Sequence, residues 1–212
     1  MTNRTPRIIA VIVSLSGVLV MLGWIFDVTF LKSILPDFVT MKFITAFCFV
    51  LCGAELYFTA RVVEDGSGWD SLILLFNNFL VALIMLSLVI ALFFGIETGL
   101  EDLFVQEPVG AINTVVPGRP AFLSAVNFIL ISLVSSLSLF GRGRSVRFIN
   151  ILGAAVAAVG GVAVVGYLFD IPALYYNISE ISTAMALNTA ILFVLLGSGF
   201  YMIRGGDGLN QG

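Results

Sequence analysis

The sequence contains no histidine, only two cysteines and few charged residues, which make up 11% of its 212 positions. Without histidine there is no imidazole to ligate haem or zinc, to activate a serine or to relay protons. A Walker phosphate-binding loop and a dinucleotide fingerprint are also missing from the sequence. Basic residues are sparse, and the formal net charge of −3 is unlike that of a nucleic-acid-binding surface. We therefore expect a non-enzymatic protein without a metal, a cofactor or a nucleic-acid partner.

Hydrophobic residues make up 59% of the sequence, and its mean hydropathy is +1.10. Such a chain has too little polar material to coat a soluble globule, so its first partner is the lipid bilayer. A helix needs roughly 20 mostly apolar residues to cross a bilayer. Stretches of that kind lie at about 8–26, 40–60, 71–94, 121–140, 147–168 and 182–203. They predict an all-α integral membrane protein, a single domain over 1–212 with six transmembrane helices and a flexible cytoplasmic tail at 204–212.

One residue pattern occurs three times along the chain. Its six positions hold Met or Pro, Thr or Ser, Ala, Phe, Leu, and Gly or Ser, always at the same spacing. The copies are Met41, Thr45, Ala46, Phe49, Leu51, Gly53; Pro120, Ser124, Ala125, Phe128, Leu130, Ser132; and Met185, Thr189, Ala190, Phe193, Leu195, Gly197. We predict three two-helix units, about 8–60, 71–140 and 147–203, each with an outer loop. Because the units run in the same direction, they form parallel repeats about an axis along the membrane normal.

The basic residues indicate how the chain is oriented. Seven of the ten lie near the N-terminus or on the same side of the membrane: Arg4, Arg7, Arg61, Arg142, Arg144, Arg147 and Arg204. The positive-inside rule therefore predicts that both termini are cytoplasmic. The long connections, about 27–39, 95–120 and 169–181, fall on the outer side together with most acidic residues. Long loops on a rigid scaffold often carry function, so we expect a ligand to be met there.

The outer helix ends carry a repeated set of polar and aromatic residues. The run 23–27, Gly-Trp-Ile-Phe-Asp, corresponds to 166–170, Gly-Tyr-Leu-Phe-Asp, and Glu97 stands at the corresponding helix end of the middle unit. The hypothesis is an outward-opening ligand pocket lined by Trp24, Asp27, Thr45, Glu97, Ser124, Asn127, Tyr167, Asp170, Asn188 and Thr189. In the alternative, the hydroxyls and amides bond neighbouring helices, the acids are solvated and the aromatics belong to the interfacial belt.

Glu55 is the clearest ionisable residue inside a predicted span. Asn77 and Asn78 lie at a similar depth in the next helix, so we predict an intramembrane polar cluster of these three residues. An ionised carboxylate inside the bilayer costs on the order of 3 kcal/mol, which favours a role in proton or ion chemistry. The alternatives are a protonated side chain, one that reaches the interface, or a pair with Arg61.

The fifth predicted helix is rich in small residues. Gly153, Ala157 and Gly161 follow a spacing of four residues, and Gly160 adjoins the last of them. Small residues at this spacing let two helices approach closely in a membrane. We predict that this helix makes either the tightest contact within the chain or the seam of a dimer.

Parts of the sequence resemble a known class of membrane domain. The runs 23–26, 35–36, 39–42 and 45–46, then 117–120 and 124–128, and finally 166–175 are similar to the multi-pass N-terminal input regions of bacterial sensor histidine kinases and diguanylate cyclases. The resemblance covers about residues 20–203. It implies a bacterial inner-membrane sensor that acts as a homodimer or with a membrane partner carrying a signalling domain. In that family an effector domain follows the last span, whereas this sequence continues only to Gly212.

These observations favour a non-enzymatic sensory or binding module of a bacterial inner membrane, which detects a ligand or an envelope condition at its outer face. A first alternative is a small transporter or substrate-capture subunit in which Glu55 couples protons. A second is an accessory subunit of a larger membrane complex, held by the apolar face of the fifth helix.

Overall fold

The computed structural model of the protein describes residues 3–35, 37–65, 67–108, 111–139, 144–175 and 182–205. Within these ranges the chain is helical and contains no β-strand. The helices are α1 (Arg4–Ile25), α2 (Thr29–Lys32), α3 (Phe43–Asp65), α4 (Gly68–Phe94), α5 (Phe122–Leu137), α6 (Arg144–Leu168) and α7 (Leu187–Tyr201), with a 3-10 turn at Pro172–Leu174. The tail predicted to be flexible lies outside the described residues from position 206 onwards.

Four helices of the described chain are long and apolar enough to cross a membrane: Arg4–Ile25, Phe43–Glu64, Gly68–Phe94 and Val146–Leu168. Two further apolar helices, α5 and α7, are shorter, with 16 and 15 residues. The prediction of an α-helical membrane protein is therefore confirmed. Each of the six predicted apolar stretches overlaps one of these helices.

The last helix, α7, begins five residues later than its apolar stretch because the chain before it is held in an extended conformation. The Met185 amide donates to the Tyr175 carbonyl at 2.9 Å, and the Ala184 amide donates to the Asn113 carbonyl at 3.1 Å. These amides therefore bond other connections rather than the helix. Residues 182–186 are nevertheless buried. Non-helical backbone at membrane depth is tolerated where protein surrounds it in this way.

Helix α4 begins three residues earlier than predicted because of a capping box. The Ser67 hydroxyl accepts from the Asp70 amide at 3.2 Å, while the Asp70 carboxylate accepts from the Ser67 amide at 2.9 Å. This reciprocal pair satisfies amide groups that a helix start leaves unbonded. At the other end Gly95 adopts a left-handed conformation with φ 63° and terminates the helix.

The four long helices and the two shorter ones form three pairs: a first pair α1/α3, a middle pair α4/α5 and a third pair α6/α7. Contacts between α3 and α4, α5 and α6, and α7 and α1 join the pairs into a closed ring. Helix α3 also contacts α5 and α7 at the centre. There Phe49, Phe128 and Phe193, one from each pair, form a buried triangle with ring centroids 4.8–4.9 Å apart. They are the Phe positions of the repeated sequence pattern.

The two ends of the ring differ in how their segments are joined. We call one end the loop face: it holds the first connection (26–35 and 37–42), the middle connection (95–108 and 111–121) and the third connection (169–175 and 182–186). The other end, with Asn3, 61–65, 67–70 and 202–205, is the terminal face. At the terminal face the Arg204 amide donates to Asn3 Oδ1 at 2.9 Å, and Asn3 Nδ2 donates back to the Arg204 carbonyl at 3.1 Å. The end of α7 is thereby fastened to the start of α1.

Candidate functional site

The ten residues predicted to line an outer pocket all lie at or near the loop face, but their surroundings differ. Thr45, Ser124 and Thr189 are each the third residue of a helix and are buried. Asp27, Glu97 and Asp170 are exposed. The predicted lining therefore divides into a buried set of hydroxyls and an exposed set of acids.

The two aromatic residues of the predicted pocket make equivalent hydrogen bonds. Trp24 Nε1 donates to the Met41 carbonyl at 2.8 Å, and the Tyr167 hydroxyl donates to the Met185 carbonyl at 2.8 Å. Each bond ties the end of one helix to the extended segment that precedes its partner helix. The Tyr167 ring also stacks on Tyr175, with centroids 4.0 Å apart. Both aromatics therefore hold the loop face together from within.

The two amides of the predicted pocket are also buried or partly buried. Asn188 Nδ2 donates to the Lys32 carbonyl at 3.1 Å and thereby joins α7 to the first connection. Asn188 lines a cavity of about 240 Å³ between α1, the first connection and α7. Asn127 is 1% exposed, and its Nδ2 has no hydrogen-bond partner among the described residues.

The helix ends of the loop face share one backbone geometry. After α1 and α6 the chain turns through a left-handed residue, Asp27 with φ 55° and Asp170 with φ 51°. After α4 the left-handed residue is Gly95, with φ 63°. Gly95 therefore occupies the position that corresponds to Asp27 and Asp170, and Glu97 lies two residues further on. The sequence analysis predicted Glu97 at that helix end, whereas the left-handed residue there is Gly95.

Asp27 is paired with a cation of its own connection. Lys32 Nζ lies 2.5 Å from Asp27 Oδ1. The hydrogen bond from Lys32 and its positive charge lower the pKa of Asp27 below its ordinary value. The carboxylate itself is 92% exposed, so this pair stabilises the fold little.

Two buried ion pairs at the loop face involve residues that the sequence analysis did not select. Lys42 Nζ bonds Glu107 Oε1 and also lies 2.7 Å from the Thr114 hydroxyl. Glu107 accepts two more hydrogen bonds, from the Thr40 hydroxyl at 3.0 Å and the Gly118 amide at 2.8 Å. Burial lowers the pKa of Lys42, although the charge and hydrogen bond of Glu107 oppose this effect.

The second ion pair lies within the middle connection. Arg119 donates to Glu101 Oε1 from Nη2 at 2.5 Å and from Nε at 3.1 Å. Thr98 donates to Glu101 Oε2 from its hydroxyl at 2.6 Å. Burial would raise the pKa of Glu101, but the hydrogen bonds from Thr98 and Arg119 and the charge of Arg119 lower it overall. A sequence signal existed, since Lys42 and Arg119 flank the first residue of two copies of the repeated pattern.

The predicted intramembrane cluster forms around Glu55, which is fully buried. The hydroxyls of Ser132 and Ser135 donate to its two carboxyl oxygens at 3.3 and 3.2 Å. Asn78 completes the cluster, with its amide 3.2 Å from Glu55 Oε1. Asn77 is buried as well, but the bond to Glu55 comes from Asn78. Arg61 does not pair with Glu55, because its guanidinium lies 3.1 Å from Asp70 at the start of α4.

Hydrogen bonds determine the orientation of the Asn78 amide. Its Nδ2 donates to Glu55 Oε1 at 3.2 Å, and its Oδ1 accepts from the Ser136 hydroxyl at 3.0 Å and from the Ser136 amide at 3.3 Å. Asn78 therefore joins the carboxyl of α3 to the backbone of α5.

A groove of about 830 Å³ lies directly beside this cluster, between α4 and α5. Its lining includes Asn78 and Ser132, which bond Glu55, and Ser136, which bonds Asn78. Its remaining walls are apolar and come from Leu72, Leu75, Phe76, Phe79, Ala82, Ile129 and Leu133. Several of these side chains are exposed, including Phe76 and Phe79. In a membrane this groove opens sideways to the lipid.

The groove exists because the middle helix pair lacks the small residues that close the other two. A methyl group added at Gly53 would lie 2.7 Å from the Ala10 carbonyl oxygen, and one at Gly197 would lie 2.5 Å from the Gly153 carbonyl oxygen. In the repeated pattern, Ser132 stands where these glycines stand.

The facing helix of the middle pair differs at the matching position. Ala10, Asn78 and Gly153 each precede the left-handed residue of their helix by 17 positions. In the middle pair, two polar residues, Ser132 and Asn78, therefore stand where the other two pairs have small residues that contact the backbone of the facing helix. The helices of the middle pair are held apart at this depth, and the space between them is the groove.

Gly153 and Gly160 of α6 face α7, with the added methyl at Gly160 lying 2.6 Å from the Ala190 carbonyl oxygen. The close contact predicted for this helix is therefore made within the chain.

Comparison of the chain with protein-family models, with curated proteins and with solved structures gives no match.

Proposed function

We propose that the chain is a non-enzymatic sensory and binding module of a bacterial inner membrane, made of six membrane-crossing segments in three parallel repeats. The central Phe triangle supports the repeats, because one ring comes from the same pattern position of each unit. The matched hydrogen bonds of Trp24 and Tyr167 support them further. The extended segments before α5 and α7 supply the length that these shorter helices lack.

The terminal face is proposed to be cytoplasmic, since most of the basic residues lie on that side. The loop face then points outwards. Glu107, Glu101 and their cationic partners fasten the middle connection there. The proposed output leaves through the end of α7, which Asn3 ties to α1. The partner is a second copy or a membrane protein that carries a signalling domain.

The observation that carries the sensory proposal is the polar cluster of Glu55 beside the least closely packed of the three helix pairs. A ligand or a proton that acts there changes how α4 sits against α5, and Glu55 links both helices to α3 at the centre. Transmission requires two arrangements that the stimulus favours unequally.

Native mass spectrometry of the gently extracted protein tests the proposal. We expect a defined homodimer, or a fixed complex with a protein that carries a kinase or cyclase domain. A fixed complex with unrelated membrane subunits would overturn the sensory function and favour an accessory subunit.

The buried carboxyl of Glu55 also favours a second candidate, a proton-coupled transporter. Its distinguishing test uses the protein in sealed liposomes with a pH gradient and a dye that reports internal pH. Proton flux that depends on the protein and is lost in Glu55→Gln would favour transport over sensing.

A further inference from the structure

The floor of the groove between α4 and α5 presents uncharged polar groups. Asn78, Ser132 and Ser136 line the groove, while the Glu55 carboxyl lies behind them and is completely buried. An occupant therefore meets an amide and hydroxyls, which donate and accept hydrogen bonds. A cationic headgroup could not reach Glu55 without displacing this layer, and an anionic headgroup would lie close to a carboxylate. The floor is matched to an uncharged headgroup that bears carbonyl or hydroxyl oxygens.

The walls of the groove indicate the shape of the occupant. Phe76 and Phe79 lie one turn apart on α4 with more than half of their surface exposed, and both line the groove. Exposed aromatic rings favour stacking or edge contacts with a flat ring. Leu72 and Leu75 continue the apolar wall towards the terminal face. The volume of about 830 Å³ is in the range of small-molecule sites.

We propose that this groove binds a membrane-dissolved quinone, with the ring between the phenylalanines, one ring oxygen at Asn78 and Ser136, and the apolar tail in the bilayer. A quinone oxygen accepts from Asn78 Nδ2 or from the Ser136 hydroxyl. Binding alone is proposed, without electron transfer by the protein.

A helix of a second copy fits the groove less well. An apolar helix laid into it would cover the amide and hydroxyls of the floor without replacing their exposed hydrogen-bonding capacity, which costs free energy. A fatty acid would place its carboxylate against the acidic cluster. Both remain outcomes of the test.

The test uses the full chain in nanodiscs of uncharged lipid, with decylubiquinone as the probe and a photoreactive azidoquinone to map the site. We expect saturable binding and labelling within 72–82 or 129–136, displaced by decylubiquinone and not by palmitate or dodecylamine. Ala82→Phe, which fills the groove, should abolish the labelling. Ala155→Phe, the same change on an exposed face of α6, should leave it intact.

A finer variant separates the polar contact from the fold. Asn78→Leu removes one hydrogen bond to the ligand and should weaken binding about tenfold, and Ser136→Ala should weaken it less. Equal loss in Ala82→Phe and Ala155→Phe, equal competition by palmitate or dodecylamine, or closure of the groove by a second copy in cross-linking would overturn the proposal.

This inference rests on the proposed function, because it names the ligand that the sensory module would detect. The two fail separately. Quinone binding by a protein found in a fixed complex with unrelated subunits would overturn the sensory function alone. A signalling partner without saturable quinone binding would overturn the ligand alone.

Discussion

The middle helix pair differs from the two flanking pairs in what holds it together. In the first and third pairs, glycines bring the helices into backbone contact, and an aromatic side chain bonds the next extended segment. In the middle pair, a polar cluster and a groove lie between the helices, and ion pairs hold the connection. Two closely packed units thus form a frame for a third that is less closed. Polar groups inside a membrane cost free energy and usually mark functional positions. The middle pair is therefore the candidate functional part of the ring.

The ion pair of Lys42 and Glu107 should give the largest effect, because it joins the first pair to the middle connection. Lys42→Met leaves a buried carboxylate without its cation, which costs about 3–5 kcal/mol of unfolding free energy. Thermal unfolding in detergent micelles measures the loss. The double variant Lys42→Met with Glu107→Leu should recover most of it, because an apolar pair replaces the charges. Asp27→Asn, which breaks a solvent-exposed pair, is the control that should change little; a loss as large as that of Lys42→Met would contradict the assignment.

The second-largest effect is expected at the last position of the repeated pattern, which is Gly53, Ser132 and Gly197 in the three pairs. Gly53→Ala and Gly197→Ala each push a methyl group against backbone atoms of the facing helix, so each should cost about 1–3 kcal/mol. Ser132→Ala adds no atoms and loses one hydrogen bond to Glu55, which is worth about 1 kcal/mol. Melting temperatures of the three variants in the same micelles provide the measurement. If Ser132→Ala proved the most damaging, the middle pair would not be the looser one.

The repeated pattern predicted the features that depend only on the spacing of residues along a helix. It placed Phe49, Phe128 and Phe193 at equivalent positions, and they form one triangle. It also placed Thr45, Ser124 and Thr189 at equivalent depth, each as the third residue of its helix. Apolar run length located every long helix. These features follow from helical periodicity and need no knowledge of distant contacts.

Other features depend on how distant segments meet, and the sequence did not reveal them. Lys42 and Glu107 are 65 residues apart, and nothing local predicts their pairing. The groove results from Asn78 facing Ser132, and that register becomes visible only once Gly95 is known to end α4. Glu55 was singled out from the sequence and is fully buried, but its serine partners on α5 were not predicted.

A smaller effect is expected for the aromatic hydrogen bonds of the flanking pairs. Trp24→Phe and Tyr167→Phe each leave a carbonyl, of Met41 or Met185, without its donor. Each should cost about 1–2 kcal/mol. Melting temperatures should fall by similar amounts in the two variants, because the two bonds are equivalent in length and position. A clear loss in only one of them would show that the first and third pairs are not alike.

The smallest expected effect is a pH dependence of stability that arises from Glu101 in the middle connection. The pKa of Glu101 is lowered in the folded protein, so the unfolded chain takes up its proton first as the pH falls. The stability that Glu101 contributes is therefore complete above its ordinary pKa of about 4.3 and is lost as the pH falls through the lowered value. The melting temperature should therefore fall as the pH is lowered from neutral through this range. Glu101→Gln should lower the neutral value and flatten the decline, and Thr98→Val should flatten it partly. Because Trp24 and Tyr167 bond carbonyl groups, Trp24→Phe should keep the wild-type slope. A slope unchanged by Glu101→Gln would mean that the middle connection is held by something other than its ion pair.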